Sequence, residues 1–460
     1  MAQKPSIPKG TRDFTPNEVV KRNYIFDIVK KHFTTFGFQP IETPSFENSD
    51  TLMGKYGDEG DRLIFKILNS GDFISKVDDV TYSSKKSSSL TPKISEKALR
   101  YDLTVPFARY VVMHQNEIDF PFKRYQIQPV WRADKPQKGR FREFYQCDAD
   151  IVGSNSLLQE IELIQLYDTV FTALKLNGVN IKLNNRKILA GIAEVIGAKH
   201  LLIDFTVALD KLDKIGVEGV QKEMLAKGIS ESAIRKAAPL FSLSGTNLEQ
   251  LKALENLLET SEEGTKGVEE LRFIVKTIEE LGLQSAKLSI DVTLARGLNY
   301  YTGAILEVAA PEGVRMGSIG GGGRYDDLTG IFGLKNVSGV GVSFGLDRIY
   351  LVLEELNLFP QAIAQSLDVL CVNFGDQEAF AALKLVMQLR KSDIKADVYP
   401  SSAKMQKQMK YANNRKVPFV ILIGAQELED NSFVVKNMET RNQETYKLNE
   451  AEKFIKTLEK

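Results

Sequence analysis

Hydrophobic residues recur along the chain with two different periods, and these periods predict where helices and strands lie. Residues 17–36 carry apolar side chains at helical spacing and are followed by Gly37, so they predict an amphipathic helix that ends there. Residues 125–131 alternate apolar and polar side chains, and a similar segment spans 141–151. Because a loop with proline and glycine separates these two segments, they predict a β-hairpin.

Beyond the hairpin the pattern changes twice. Residues 204–283 read as short charged helices broken by glycines, which predicts a helical insertion. Strand patterns return at 287–293 and 304–309, and a helix is predicted from Leu346. Pro360 and the polar stretch to Ser366 predict a linker, after which apolar strand segments alternate with helical ones, as in a small α/β domain. The predicted divisions of the chain are 1–203, 204–283, 284–360 and 366–460.

One stretch shows neither period. Residues 81–95 (TYSSKKSSSLTPKIS) are rich in serine and lysine and have few apolar side chains. Since no face of this stretch could be buried, it predicts a mobile surface loop.

Composition excludes several classes of protein. The 460 residues are 43% hydrophobic and 26% charged, which is typical of a globular chain. The two cysteines exclude a disulfide framework and a thiolate metal cluster, and the three histidines form no ligand pattern. The polar N-terminus lacks the apolar core of a secretory signal, and no apolar run approaches the ~20 residues of a membrane span. These features predict a cytosolic protein without a membrane segment.

Positive charge is concentrated in the predicted hairpin although the whole chain is neutral, with 60 Lys+Arg and 60 Asp+Glu. The only acid among the cations of this stretch is Asp134. Such a concentration fits a phosphate-rich ligand, and it also fits a hairpin whose charges are simply solvated. The cations are Lys123, Arg124, Arg132, Lys135, Lys138, Arg140 and Arg142.

Two segments offer polar side chains for a small ligand. Asp102 and Thr104 are two residues apart, so in a strand they would share one face and could bind an ammonium group. Taken alone, the stretch fits the edge of a surface strand better. On the return strand of the hairpin, Gln146 and Asp150 also share a face and offer two acceptors and a donor. Asp148 lies on that same face, so the pattern leaves open which acid would bind a ligand.

Two glycine-rich segments complete the candidate chemistry. Residues 294–303 place an arginine and a tyrosine pair in a turn flanked by glycines. The four glycines of GSIGGGGRYD (317–326) do not fit a dinucleotide-binding fingerprint, because Arg-Tyr-Asp follows them and no βαβ pattern surrounds them. A sheet surface on which an adenine or ribose lies flat fits better, with Arg348 at a helix start to bind a phosphate.

Taken in order, these segments resemble class II aminoacyl-tRNA synthetases, and within them the histidyl-tRNA synthetase family. The similarity covers nearly the whole chain. It includes KGTRDF (9–14), motif 1 (38–44), the motif 2 hairpin of Arg132, RGLNYYTG (296–303) and motif 3 (339–348). Motif 2 or motif 3 alone would indicate only the class, whereas RGLNYYTG together with RYDLTVPFARY is highly specific.

The resemblance implies an α+β fold with an antiparallel sheet flanked by helices, formed by 1–203 and 284–360. It implies that 204–283 is a helical insertion and that 366–460 is an α/β anticodon-binding domain. The implied activity is that of a histidine–tRNA ligase, with ATP and Mg²⁺ required and L-histidine and tRNA(His) as partners. Motif 1 implies a homodimer.

The resemblance also implies roles for individual residues, and it implies no metal ligand among the side chains. The residues implied to bind histidine are Asp102, Leu103, Thr104, Gln146, Asp150, Tyr300, Tyr301 and Tyr325. The residues implied to contact the phosphates of ATP are Arg132, Arg296 and Arg348. The residues implied to contact tRNA are Lys135, Lys138, Arg140 and Arg142.

Two alternatives belong to related proteins. One is the synthetase-like regulatory subunit of a histidine-biosynthetic phosphoribosyltransferase, which typically lacks the terminal domain and has a degraded histidine segment. Here residues 367–460 are present and RGLNYYTG is intact. The other is a class II synthetase for threonine or proline, and the zinc-ligating Cys/His set that a threonine site would need is absent.

Overall fold

The computed structural model describes residues 4–295, 300–360 and 367–458. Arg296 and residues 361–366 of the predicted linker, which begins at Pro360, therefore lie outside the described residues. The chain forms two compact units, Met1–Phe359 and Pro360–Lys460.

The first unit is built on one large sheet and one small one. Its strands are β1 Gln39–Pro40, β2 Phe46–Asn48, β3 Lys66–Ile67, β4 Lys97–Leu99, β5 Phe122–Trp131, β6 Glu143–Val152, β7 Asn180–Asn185, β8 Lys287–Ile290, β9 Ala304–Ala309, β10 Gly320–Tyr325 and β11 Gly339–Gly345. The large sheet has the order β1-β5-β6-β11-β10-β9-β7-β8, and β2, β4 and β3 form the small sheet. Only the two outermost pairs of the large sheet, β1–β5 and β7–β8, are parallel, so the predicted antiparallel sheet is confirmed.

Fourteen helices accompany these sheets in the described part of the first unit. They are α1 Pro16–Thr35, α2 Ser49–Leu52, α3 Gly57–Leu63, α4 Asp79–Ser84, α5 Ser87–Ile94, α6 Thr104–Met113, α7 Leu158–Ala173, α8 Arg186–Val195, α9 Leu202–Leu209, α10 Leu212–Ala226, α11 Glu231–Ala237, α12 Asn247–Leu257, α13 Glu262–Leu281 and α14 Leu346–Glu355. The hydrophobic side chains of α9 to α13 belong to the same buried cluster as those of the large sheet. Residues 204–283 are thus helical, and their status as a separate insertion stays a prediction.

Helix α1 begins where its sequence predicts. Thr15 and Glu18 form a reciprocal capping box, in which each side chain accepts a hydrogen bond from the backbone N–H of the other residue. Pro16 occupies the first turn, where its missing N–H costs nothing. The buried face of the helix carries Ile25, Val29 and Phe33, which join the main core.

The prediction of a loop at 81–95 is wrong, because helices α4 and α5 cover most of it. Asp78 caps α4 by accepting a hydrogen bond from Thr81 N at 2.8 Å, and Lys85 ends that helix in the left-handed conformation. Lys93 of α5 forms an ion pair with Asp78. Neither helix buries a residue, so both lack the buried apolar face that would have revealed them in the sequence.

The second unit is the small α/β domain that the sequence predicts. Its five-stranded sheet has the order β13-β12-β14-β15-β16, in which the last two strands were not predicted. The strands are β12 Val369–Cys371, β13 Ala396–Val398, β14 Phe419–Leu422, β15 Ser432–Asn437 and β16 Gln443–Lys447. The helices are α15 Asp376–Lys391, α16 Met405–Asn414, α17 Ala425–Glu429 and α18 Ala451–Leu458.

Candidate active site

Two cavities of the first unit adjoin each other over strands β6, β10 and β11. The larger has a volume of about 290 Å³ and the smaller about 40 Å³. We call the larger the nucleotide cavity, after the ligand that the sequence predicts there, and the smaller the acid pocket. Four residues line both of them, namely Gln146, Tyr301, Gly321 and Ser343. A single ligand could therefore extend from one cavity into the other.

Guanidinium groups from two separate segments line the nucleotide cavity. Arg348, at the start of α14, donates from Nε to Gly139 O at 2.9 Å and from Nη1 to Ser318 O at 2.5 Å. Burial, and then the neighbouring Arg140 and Arg132, lowers the pKa of Arg348. A concentration of like charge in a partly buried cavity favours an anionic ligand.

Arg132 is the second cation of this cavity, and aromatic rings hold it in place. Its Nε donates to Tyr101 O at 3.0 Å. The guanidinium carbon lies 4.3 Å from the centroid of the Tyr101 ring and 5.2 Å from that of Phe144. Phe144 also lines the cavity, so it offers an aromatic face to a ligand.

The acid pocket contains three buried carboxylates. Asp102 accepts hydrogen bonds from Tyr56 Oη at 2.8 Å and from Tyr300 Oη at 3.2 Å. Asp150 accepts from Tyr325 Oη at 2.6 Å. Burial raises the pKa of all three carboxyl groups. The residues that line the pocket include Asp102, Thr104, Gln146, Asp148, Asp150, Tyr300, Tyr301 and Tyr325.

One buried arginine partly balances these acids. Arg124 is fully buried, and its Nη2 lies 2.9 Å from Asp150 Oδ2. Its guanidinium carbon lies 4.2 Å from the centroid of the Phe107 ring. With Asp102 and Asp148 also ionised, the pocket would carry more negative than positive charge, which suits a cationic group such as an ammonium.

Glycine at one position of β11 makes room for the pocket. A Cβ atom at Gly341 would lie 1.9 Å from Asp150 Oδ1, and one at Gly322 would lie 2.1 Å from Gly341 O. Any larger residue at Gly341 would displace the carboxylate of Asp150. These glycines therefore let the Asp150 carboxylate and the two backbones approach closely within an ordinary antiparallel pair of strands, and a nucleotide over them stays a prediction.

The buried Asp148 gives a prediction about stability and pH. Burial, offset by Arg124 and reinforced by Asp150, raises the pKa of Asp148 from 3.8 to about 7. The folded state then binds more protons than the unfolded state between these two values, so this group lowers stability as pH rises through that window. We expect Asp148→Asn to be more stable than the wild type without ligands at about pH 8, with little difference at about pH 4.

Urea unfolding at the two pH values measures this difference, since the only tryptophan, Trp131, lies in β5 beside the site. A variant that is less stable than the wild type at the higher pH would mean that the Asp148 carboxylate stabilises the empty fold.

The interpretation of Asp102 and Thr104 as neighbours in a strand is wrong. Strand β4 ends at Leu99, and Thr104 is the first residue of α6. The carboxylate of Asp102 accepts a hydrogen bond from Val105 N at 3.2 Å, so it helps to satisfy the first turn of that helix. Both side chains nevertheless line the acid pocket.

The other predicted residues lie in different settings. Leu103 is buried and is not among the described residues that line either cavity. In the hairpin loop Lys135 is exposed, Lys138 Nζ lies 3.1 Å from Glu355, and Arg140 lines the nucleotide cavity. Arg142 donates to Asp134 O at 3.2 Å. The RGLNYYTG arginine, Arg296, is outside the described residues.

Several residues of the site were not predicted. Arg124 faces Asp150 across the hairpin, as register partners of β5 and β6. A charged residue inside an apolar strand was a usable signal, but the register that pairs it with Asp150 could not be read from the loop length. Tyr56 and Asp347 gave no local signal, because their partners are distant in sequence.

Comparisons with known proteins agree along the whole chain. A sequence model described as Histidyl-tRNA synthetase matches residues 90–349, and one described as Anticodon binding domain matches residues 367–458. The chain is 68% identical over 449 residues to a protein of Christiangramia forsetii named Histidine–tRNA ligase, with 98% of each chain covered. It is 65% identical over 461 residues to one of the same name from Flavobacterium johnsoniae, covering 96% of this chain and 97% of the other.

Solved structures give the same result. The crystal structure of histidyl-tRNA synthetase from Nostoc sp. PCC 7120 superimposes with a TM-score of 0.81 at 29% identity, covering 99% of this chain and 100% of the other. The same family is indicated by the shared fold, by the length of the match and by the identity to the two relatives. The chain belongs to the histidyl-tRNA synthetase family.

Proposed function

We propose that this protein is a histidine–tRNA ligase. It activates L-histidine with ATP to give histidyl-adenylate and pyrophosphate, and then transfers histidine to the 3′ end of tRNA(His). The observation that carries this proposal is the junction of an arginine-lined cavity with an acid-lined pocket at Gln146 and Tyr301. An adenylate needs both sites side by side, one for the nucleotide and one for the amino acid.

The first step needs positioning and charge neutralisation more than a protein nucleophile. A carboxylate oxygen of histidine forms a bond to the α-phosphorus of ATP as the bond to pyrophosphate breaks, in line with the attack. Arg132 and Arg348 line the cavity in which these phosphates would lie. Arg132 and Arg296 contact the α-phosphate region, and Arg348 contacts the far phosphates or the adenine face.

The acid pocket selects histidine. Asp102, Thr104 and Gln146 bind the α-ammonium group, and Asp150 and Tyr301 bind the imidazole. A purely apolar side chain would leave these buried polar groups unpaired, and sites of this kind can discriminate by ~10⁴–10⁵. Tyr300 and Tyr325 hold two of the acids by hydrogen bonds and close the pocket.

Magnesium would enter with the nucleotide. Two acids, Asp134 and Asp347, line the nucleotide cavity. Asp347 is already paired with Arg12 and Arg22, whereas Asp134 has one arginine, Arg140, at 3.6 Å. Asp134 is therefore the carboxylate with fewer charged neighbours. Among the described residues no cluster of three or more His, Cys, Asp or Glu could hold a metal ion. This donor set fits Mg²⁺ bound mainly by substrate phosphates, where it would neutralise their charge.

The transfer step requires contact with tRNA at two places. Lys135, Lys138, Arg140 and Arg142 in the hairpin loop contact the acceptor end, and the second unit contacts the anticodon stem. Since such contacts are made to phosphates, charging should weaken steeply as salt is raised. In the described ranges, every helix is too short or too polar to span a bilayer. We place the reaction in the cytosol.

A homodimer is also part of this proposal. Strand β1, within the motif 1 segment, is the last strand at one edge of the large sheet, and Phe46 just beyond it is exposed. An edge strand and an exposed aromatic side chain a few residues along the chain both favour association. Sedimentation should give a mass near twice 51.5 kDa.

ATP–pyrophosphate exchange with each amino acid in turn tests the activity. Histidine alone should stimulate exchange. Stimulation by threonine or proline would assign a different synthetase, and no stimulation by any amino acid would indicate a regulatory protein of this fold.

Removal of residues 366–460 should separate the two steps. The second unit has its own buried cores, and the described residues that line the nucleotide cavity and the acid pocket all belong to the first unit. We therefore expect the truncated protein to retain most of its pyrophosphate exchange and to lose efficient tRNA charging. Equal losses in both assays would contradict this division of labour.

A further inference from the structure

We propose that residues 9–14 form an N-terminal strap that holds the nucleotide cavity in its binding shape, with Arg12 as the positioning residue. The inference rests on the proposed function, because it concerns how the same cavity binds ATP. The strap precedes α1 and does not itself line the nucleotide cavity. Its contacts reach both walls of that cavity, which are formed by the hairpin loop and by the start of α14.

The first contact joins backbone oxygens of the strap to Arg142 of the hairpin loop. Arg142 N donates to Gly10 O at 2.9 Å, and Arg142 Nη1 donates to Lys9 O at 3.4 Å. Gly10 has a φ of +88°, and a Cβ atom there would lie 2.8 Å from Arg142 Cγ. Only glycine allows this close approach without strain. The strap is therefore packed directly against the loop at Gly10.

The second contact is made by one side chain that reaches both walls. Arg12 Nη2 lies 2.5 Å from Asp347 Oδ1, at the start of α14. Its guanidinium carbon also lies 3.3 Å from the centroid of the Phe141 ring, in the hairpin loop. Phe141 and Asp347 both line the nucleotide cavity. The guanidinium of Arg12 thus fixes the distance between the loop and the helix.

Arg348 also joins these walls, through Gly139 O, but it is proposed to bind the nucleotide itself. Arg12 holds Phe141 by a separate contact, so Arg348 can turn towards a phosphate without releasing the loop. A preorganised loop lowers the cost of ordering the cavity when ATP binds. The effect of Arg12 should therefore appear in ATP affinity.

Loss of Arg12 should leave the fold intact. Asp347 Oδ1 also lies 2.5 Å from Arg22 Nη1, and Asp347 Oδ2 accepts from Tyr145 N at 3.3 Å. The buried carboxylate would therefore still be paired in an Arg12→Ala variant. This separates a role in positioning from a role in stability.

The test compares Arg12→Ala and Arg12→Lys with a matched control, Lys21→Ala. Lys21 Nζ forms an ion pair with Glu354 at 2.8 Å, which links α1 to α14 away from the cavity. For Arg12→Ala we expect KM for ATP in pyrophosphate exchange to rise about tenfold, the scale of one charged or cation–π contact. KM for histidine should stay within about twofold and the urea midpoint should not change. Arg12→Lys should be intermediate and Lys21→Ala normal.

Calorimetric titration with ATP alone provides a second measure, which needs no histidine-dependent activity. A higher Kd for ATP in Arg12→Ala supports the proposed role of the strap. Unchanged ATP affinity in that variant overturns the proposed role of the strap. A parallel loss of ATP affinity, histidine affinity and stability also overturns it, because it would indicate a general loss of structure. A wild type that binds ATP but shows no histidine-dependent exchange overturns the proposed function, while the titration still decides on the strap.

Discussion

Replacement of Arg132 by alanine is expected to slow histidine-dependent pyrophosphate exchange by about 10²–10³-fold, the usual effect of removing one preorganised donor to transition-state charge. The backbone oxygen and the ring of Tyr101 hold the guanidinium before any ligand arrives. Its charge is therefore already oriented when negative charge shifts towards pyrophosphate. Arg132→Lys keeps the charge but loses the planar fork, so its rate should lie between those of alanine and wild type.

The effect should fall on kcat more than on KM for histidine, because Arg132 lines the nucleotide cavity and not the acid pocket. Arg235→Ala removes an equal charge from an exposed pair in α11 and serves as the control. Near-normal exchange by Arg132→Ala, with the control also normal, would show that Arg132 does not stabilise the transition state.

The second large effect is on stability. Glu160 and Arg324 form a bidentate pair in which Nε–Oε1 is 2.5 Å and Nη2–Oε2 is 2.6 Å, and both side chains are buried. Glu160→Ala would remove the bidentate partner of the buried guanidinium and leave only Asp326, at 4.0 Å, as a charged neighbour. Breaking a buried pair in this way typically lowers the free energy of unfolding by about 3–5 kcal/mol. Arg324 lies in β10 next to Tyr325, so KM for histidine should rise as well.

Urea unfolding followed by Trp131 fluorescence measures this loss in the first unit. The matched control is Glu231→Ala, which breaks an exposed pair with Arg235 at 3.5 Å and should change stability little. Replacing both Glu160 and Arg324 by methionine should recover much of the loss, since no charge remains unpaired. A single variant as stable as the wild type would show that the pair contributes nothing to the fold.

The elements that sequence predicted are those whose buried face repeats at a fixed period. Helix α1 carries both a capping box and an apolar face. Strands β5 and β6 are rich in apolar and aromatic residues and flank a loop with proline and glycine, although their burial does not alternate strictly. Helices α4 and α5 bury no residue, so periodicity could not identify them. Likewise, Asp102 belongs to a helix start and not to a strand, because the boundary depends on a hydrogen bond to Val105 N that composition does not reveal.

By itself the sequence determined the class of fold, the family and ten of the 26 described residues that line the two cavities, because motifs such as RYDLTVPFARY and RGLNYYTG are contiguous and their chemistry is local. Only the tertiary structure decided how distant charges pair. Arg124 meets Asp150 through the register of the hairpin, and Arg12 meets Asp347 across more than three hundred residues. Such pairings depend on register and packing, which local pattern does not encode. For that reason the electrostatics of the acid pocket and the strap on the nucleotide cavity could be recognised only in the folded chain.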